Sequence, residues 1–326
     1  MAKQGVDHQN DHEAGASLTI GFVGLGVMGQ PMASHLVAAG HRLLVNDLQL
    51  ECCTQWAATQ GERATVVPVL RDLAGEADIV ITMLPNGRVV QEVCFGERGL
   101  AEGLREGSLL LDTSSSEPWL TRQTADRLAH IGVAMVDAAV SGAQWGAQEA
   151  ALVFMAGGNT GDIERVRPLL SRMGRLVVHL GLIGSGHEMK CINNLITAVT
   201  FGATAEGLAI GKASGLDPEA MLAVLNESTG MSWVSRNHIG QRILSRQFDD
   251  PFRLELMLKD MGIATMLARE HQVPVPQSAL AHQLWQSADL AAGPGASVSG
   301  FVRWVEEQTG VEITPGRSAP RRRAGD

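Results

Sequence analysis

The sequence predicts an α/β doubly wound N-terminal domain followed by an all-α C-terminal domain. Three observations lead there. The first half alternates short apolar runs with helical patterns, and a glycine-rich turn separates the first run from the first helix. Beyond Gly184 the short runs stop and long helical patterns take over. Apolar runs without polar alternation are what a parallel sheet covered on both faces requires. Strand–helix alternation then makes a doubly wound sheet the natural arrangement.

Taken in order, LTIGFVG reads as the first strand and the stretch through MASHLVAAG as the first helix. RLLVND, ADIVITMLP, SLLLDTS and VAMVDAAV repeat the strand signal, with helix-like LECCTQWAATQ and LTRQTADRLAHIG between them. ALVFMAGG and RLVVHLG form a last strand pair that completes the domain near Gly181. The helical half begins with HEMKCINNLITAVTFGATAEGLAIGKASG. Asp217-Pro218 then starts another helix, because Asp caps orphan N–H groups and Pro at the first turn loses no needed hydrogen bond. A segment through LELMLKDMGIATMLAREH follows, then ALAHQLWQSADLAA and SVSGFVRWVEEQT. The boundaries expected are a flexible tail at 1–17, a dinucleotide-binding domain at 18–182, an all-helical substrate and dimerisation domain at 183–312, and a second tail at 313–326. The Arg321-Arg322-Arg323 run is expected to be solvated.

The 326 residues are enough for two domains with sizeable cores. A formal net charge of -9 speaks against a nucleic-acid groove or an anionic membrane surface. The N-terminus has no apolar core of the secretory kind, and no apolar run reaches the roughly 20 residues needed to cross a bilayer. A cytoplasmic protein is expected. Cys52, Cys53, Cys94 and Cys191 lack metal-knuckle spacing and read as reduced thiols. His35, His41, His179 and His187 share no ligand spacing, so no metal is expected.

Gly24-Leu25-Gly26-Val27-Met28-Gly29 is a G-x-G-x-x-G that ends a strand and opens a helix. Gly24 permits the tight turn, Gly26 lets the backbone approach a pyrophosphate, and Gly29 lets helix and strand pack closely. The helix N-terminus adds N–H donors and partial positive charge. The domain is therefore Rossmann-type. Asn46 and Asp47 stand at the end of the second strand, where a carboxylate accepts from both ribose hydroxyls and repels a 2′-phosphate. Leu48 follows rather than an arginine. The cofactor expected is NAD, with NADP the lesser choice.

From about Thr19 to about Gly310 the chain resembles the β-hydroxyacid dehydrogenases, the 3-hydroxyisobutyrate dehydrogenase-like family. GFVGLGVMGQPMASHL, ITMLPNG, DTSSSEP, DAAVSGAQWGA, GLIGSGHEMKCINN and LMLKDMGIA carry the resemblance in order. It implies that Met83, Leu84, Pro85 and Val89 belong to the cofactor wall, that Ser114 faces substrate and that Ser115 faces the nicotinamide. It also implies that Ser114, Ser141, Gly142 and Ala143 surround the substrate carboxylate. Lys259 adds positive charge, closing the cleft from the helical side and touching the cofactor. Ala139, Ala143 and Ala150-Ala151 depart from the family pattern, and Trp145 reads equally as a pocket wall or a surface aromatic. Trp233 and Arg236 either reach the cleft or pack a helix.

Oxidising an alcohol requires a base for the hydroxyl proton while hydride leaves the carbon. A partly desolvated lysine near other positive charge has its pKa drawn towards neutrality, and Lys190 is the candidate. A lysine on a helix is by itself most often a solvated charge. Here Asn193 and Asn194 follow, and Asn194 shares its helical face, able to bond the lysine or the substrate hydroxyl. The resemblance implies the same pair. The function expected is interconversion of a small 3-hydroxy carboxylate and its semialdehyde. The alternatives are an imine reductase, whose members usually lack a lysine at this position, and a catalytically inactive Rossmann-fold binding or scaffold protein. Helices rich in Leu, Met and Ala, with an apolar stripe on FVRWVEEQ, suggest a homodimer or homotetramer.

Overall fold

The computed structural model describes residues 17–319. Eight strands form one sheet in the order β3-β2-β1-β4-β5-β6-β7-β8. They are β1 (Thr19–Val23), β2 (Arg42–Asn46), β3 (Ala64–Val66), β4 (Ile79–Thr82), β5 (Leu109–Asp112), β6 (Ala134–Ser141), β7 (Leu152–Gly157) and β8 (Gly174–Gly181). Between them run α1 (Gly29–Ala38), α2 (Leu50–Gln60), α3 (Leu70–Glu76), α4 (Gly87–Phe95), α5 (Pro118–Ala129), α6 (Ala143–Gln148) and α7 (Thr160–Met173). The apolar runs alternate sides. Ile20, Phe22, Leu43, Val45, Ile79 and Ile81 enter one core, and Val23, Leu44, Val80 and Leu110 enter the other. Both faces are covered, as an almost wholly apolar strand demands.

Register positions the site. Val23 pairs with Asn46 and Thr82, Thr82 with Asp112, and Asp112 with Asp137. These five residues make one row across the carboxyl edge of the sheet. The glycine turn, Asp47, Met83 and the Thr113–Ser116 segment emerge just beyond that row. The strand order reverses at β1, so the crevice between the loops after β1 and β4 is the place where such sheets take their ligands.

Two features of the sheet differ from the sequence expectation. β3 is a three-residue edge strand whose ATV offers too little apolar run to stand out. β6 and β7 pair antiparallel, because the short link through α6 cannot carry the long crossover a parallel pair needs.

The helical half consists of α8 (Ser185–Ala213), α9 (Pro218–Leu225), α10 (Leu254–Glu270), α11 (Pro276–Ala292) and α12 (Gly300–Thr309), with a π-helical segment at Ser235–Leu244. Asp217 caps α9 by accepting from Glu219 N–H at 3.1 Å. The core centres on Phe201, Trp285 and Phe301, with the last two rings stacked 4.2 Å apart. This corrects one expectation: the stripe of FVRWVEEQ turns inward, burying Phe301, Val302 and Val305 in its own chain rather than offering them to a partner.

Residues 313–319 correct another. Ile313 is fully buried. Lys212 Nζ donates to the carbonyls of Thr314 and Gly316 at 2.9 and 2.7 Å, and Gly316 N–H donates to Asp217. A buried ammonium needs acceptors, and this segment supplies them, so the stretch is strapped down where a tail was expected. Arg321-Arg322-Arg323 and most of the tail at 1–17 lie outside the described residues. No helix among the described residues is long and apolar enough to cross a membrane.

Candidate active site

The glycine turn is fixed by close approach. Gly24 has φ +101°, and a Cβ there would lie 2.3 Å from the Met83 carbonyl oxygen. A Cβ on Gly29 would lie 1.9 Å from the Gly24 carbonyl oxygen. Gly26, in contrast, faces open space with nothing within 4 Å of that position. Two glycines are thus demanded by the protein itself. The third is free of any such demand and leaves room for a ligand's phosphates.

The turn is tied to β2 on both sides. Gly24 N–H donates to the Asn46 carbonyl at 2.9 Å, and Leu25 N–H donates to Asp47 Oδ2 at 2.8 Å. Asp47 Oδ1 accepts from Gln49 N–H, and the Asn46 side chain donates to the Val67 carbonyl. Beside them opens a cleft of about 490 Å³, lined by Leu25, Gly26, Val27, Asp47 and by Gln144 and Gln148 of α6. Met28 occupies the N-cap position of α1 and makes no side-chain capping bond. Sequence reasoning missed the two α6 glutamines, since nothing in AQWGAQ announces that the segment folds back over the turn. The open Gly26, the helix start behind it and the Asp47 carboxylate at the rim fit a dinucleotide.

On the other side of the crevice, Met83 and Leu84 are half-buried and Pro85 is exposed. Val89 sits in the first turn of α4, donating its N–H to Asn86 Oδ1. Ser114 takes a different place from the one expected. It is 1% exposed, and its hydroxyl oxygen accepts from Leu84 N–H at 2.8 Å, so it braces the cofactor wall rather than facing substrate. Ser115 is half-buried, and its carbonyl receives Lys259. Ser141 ends β6, followed by Gly142 at φ +135° and Ala143 at φ +55°. A side chain held in the left-handed region is strained, and Ala143 carries its methyl there, exposed.

Lys190 and Asn194 lie one turn apart on α8, against Lys259 and Asp260 on α10. Asn194 Nδ2 donates to Asp260 Oδ2 at 2.5 Å, and its Oδ1 accepts from Asn193 at 3.2 Å. Each end of its amide is engaged once by protein, and Asn194 thereby holds Asp260. Asp260 Oδ1, itself buried, makes no aligned hydrogen bond and lies 3.2 Å from Lys259 Nζ. Lys259 reaches across the crevice to the carbonyls of Pro85 and Ser115. Burial holds the Lys190 ammonium below the ordinary lysine range; Asp260 opposes the shift and Lys259 adds to it. Asp260 was visible in the sequence only as half of the Lys-Asp pair.

Trp145 is 67% exposed, and Arg236 turns to the Asn226 carbonyl and Glu227. His35 and His179 bond backbone carbonyls. Among the described residues, no group of three or more His, Cys, Asp or Glu is arranged to hold a metal ion.

A dinucleotide crevice with a half-buried lysine on the helical side defines a class, the nicotinamide-dependent oxidoreductases. Residues 19–181 match the family model described as the NAD binding domain of 6-phosphogluconate dehydrogenase. Residues 184–305 match the one described as NAD-binding of NADP-dependent 3-hydroxyisobutyrate dehydrogenase. The chain is 33% identical over 301 residues to 2-(hydroxymethyl)glutarate dehydrogenase of Eubacterium barkeri, covering 92% of this chain and 99% of that one. It is 34% identical over 279 residues to mitochondrial 3-hydroxyisobutyrate dehydrogenase of Drosophila melanogaster, covering 84% and 85%. A solved Mycobacterium tuberculosis 3-hydroxyisobutyrate dehydrogenase with L-serine superposes with a TM-score of 0.80 at 30% identity, over 89% of this chain and 99% of that one. The chain belongs to the β-hydroxyacid dehydrogenase family and is an NAD(P)-dependent oxidoreductase acting on CH–OH groups. An imine reductase from Myxococcus stipitatus, 18% identical with a TM-score of 0.60, shares the fold alone.

Proposed function

We propose that this enzyme uses NAD to interconvert a small 3-hydroxy carboxylate, 3-hydroxyisobutyrate or a close relative, with its semialdehyde, and that Lys190 is the general acid/base. The observation that carries the proposal is the half-buried Lys190, its ammonium destabilised by burial and by Lys259, which itself reaches the Pro85 and Ser115 carbonyls of the cofactor wall. In the oxidative direction the neutral Nζ takes the hydroxyl proton. Asp260, fixed by Asn194, then faces the ammonium that forms and steadies it. The Gly24–Gly29 turn would hold the dinucleotide's pyrophosphate, Asp47 its ribose and the Met83–Pro85 segment would wall the cofactor, which when bound would supply the hydride acceptor or donor. Lys259 adds a second positive charge for a carboxylate, with Ser141, Gly142 and Ala143 on the opposite rim.

NAD is favoured over NADP because, among the described residues, Asp47 is the one charged side chain lining the 490 Å³ cleft. A 2′-phosphate would meet that carboxylate, with no arginine or lysine among the described residues that line the cleft. Leu48, the next residue, is fully exposed. A homodimer or homotetramer is supported by exposed Ile192, Ile196 and Ile210 along α8. A reducing compartment such as the cytoplasm is supported by four free thiols.

The test is dinucleotide reduction across a panel of 3-hydroxyisobutyrate, serine, glycerate, threonate and 4-hydroxybutyrate, with a cyclic imine run in the reductive direction. We expect turnover of a 3-hydroxy acid and none of the imine. Like-charge opposition costs several kcal/mol, so kcat/KM with NAD should exceed that with NADP by about 100-fold or more. Turnover of the imine alone, or a preference for NADP, contradicts the respective part. Light scattering reads the oligomer, and a monomer contradicts it.

A further inference from the structure

His187 is completely buried one helical turn before Lys190, and nothing in the chemistry above uses it. It stands where α8 meets the sheet. Ser185, which opens α8, follows a Gly184 with no capping side chain. The cap comes instead from Asp137 of β6, whose carboxylate accepts from Gly184 N–H at 2.7 Å and from His187 N–H at 2.9 Å. The ring then bonds outwards in two directions. Nε2 lies 3.1 Å from the Ser114 carbonyl, and Nδ1 lies 2.8 Å from Thr121 Oγ1 of α5.

Those partners decide the protons. A carbonyl only accepts, so Nε2 carries a hydrogen in either charge state. Thr121 Oγ1 also lies 3.2 Å from the Glu117 carbonyl. A neutral ring therefore accepts from Thr121. A charged ring donates to it while Thr121 donates to Glu117. The charged groups facing the ring are Asp137 at 3.7 Å from Nδ1 and Asp112 of β5 at 3.8 Å from Nε2. On its own helix, Glu188 is turned away to Arg122 at 2.8 Å. Both ring nitrogens are engaged, so the ring clamps α8 to α5 and to the Ser114 backbone.

The clamp joins the two sides of the reaction. On one side is the first turn of α8, leading directly to Lys190. On the other is Ser114, whose hydroxyl braces Leu84 of the cofactor wall and whose neighbour Ser115 receives Lys259. We propose that His187 is a positioning residue: its imidazole fixes the first turn of α8, and with it Lys190, against the Ser114–Ser115 shelf beside the cofactor wall. This rests on Lys190 being the acid/base.

The test is a double-mutant cycle, with thermal stability and dinucleotide Kd measured on each variant. His187→Leu removes both ring bonds, and a displacement near 1 Å costs on the order of 100-fold, so its kcat should fall about 10- to 100-fold. Its dinucleotide Kd should stay within about threefold of the parent, since the glycine turn is untouched. His187→Gln offers an amide N–H to Ser114 and an amide oxygen to Thr121, and should restore kcat to within about threefold. In a Lys190→Ala background the leucine should cost less than about twofold, because residues that act through one another are not additive. If His187→Leu does not fold, His187→Asn carries the cycle, its shorter amide reaching one partner and giving an intermediate loss.

A lowered melting temperature with kcat of the folded protein unchanged overturns the proposal. So does a leucine penalty of equal size with and without Lys190. Near-normal turnover of Lys190→Ala alone is a different failure: it removes the acid/base assignment, and the positioning role with it.

Discussion

The dinucleotide crevice and the acid/base cluster face each other, yet they are built in opposite ways. The crevice is made of backbone: a Gly24 that must turn, a Gly29 that must not carry a Cβ, and a Leu25 N–H tied to Asp47 only 22 residues on. The cluster is made of side chains brought from distant segments. Asn194 and Asp260 are 66 residues apart, and Lys259 reaches carbonyls 144 and 174 residues away. A backbone site tolerates almost no change at its glycines and leaves a spacing motif. A side-chain site depends on two long helices, α8 and α10, lying in the right phase, and leaves only scattered residues.

The sharpest way to break this contrast is at the glycines. In Gly29→Ala the new methyl meets the Gly24 carbonyl at 1.9 Å, so turn and helix must part. Overpacking of this kind costs about 1–3 kcal/mol or more, and we expect dinucleotide binding to be lost along with stability, read by thermal melting and fluorescence titration. Gly26→Ala, with open space at that position, should melt like the parent while its dinucleotide Kd weakens about 10-fold or more, because the methyl occupies ground the phosphates need. Equal melting losses in both variants would remove the distinction between a glycine the fold requires and one the ligand requires.

In the side-chain site the larger effect belongs to Asp260. Asp260→Asn keeps the shape but removes the charge that opposes the depression of the Lys190 pKa. The sign follows: the pKa of Lys190 falls further, so the acid limb of the oxidation profile moves to lower pH. We expect kcat to fall about 10- to 100-fold with dinucleotide Kd unchanged, as for loss of one positioned partner in proton transfer. A limb that moves to higher pH would show that Asp260 is not the opposing charge.

The contrast also explains what was legible before the fold was known. The doubly wound sheet, the glycine turn and Asp47 follow from apolar runs and short-range spacing. β3 escaped because three half-exposed residues carry no pattern, and the antiparallel β6–β7 pair lay hidden in the length of a link. Lys190 and Asn194 were reached through motif context, but their surroundings were not. Asn194 bonds Asp260, Ser114 bonds Leu84, and the Ile313 segment bonds Lys212, all through tertiary contacts that no periodicity records.

The smallest effect is expected at Ala143, where the strain of φ +55°, about 1 kcal/mol, is offset by the extra unfolded-chain freedom of glycine, about 0.4–1 kcal/mol. Ala143→Gly should therefore melt within a few degrees of the parent, on the order of 4 °C or less. Its effect should appear instead as altered relative KM values across the hydroxy-acid panel. Unchanged KM for every substrate would place this methyl outside the pocket.

The most direct test of Lys190 as the acid/base is the pH dependence of single-turnover dinucleotide reduction with a 3-hydroxy acid, compared in the parent and Lys190→Ala. The base form is present above its pKa, so the parent's rate should rise with pH along one limb whose midpoint lies below the ordinary lysine range. In Lys190→Ala the limb should vanish and the rate fall by about 100- to 10,000-fold, with dinucleotide binding retained. A limb of the same midpoint surviving in Lys190→Ala would assign the proton to another group and contradict the account.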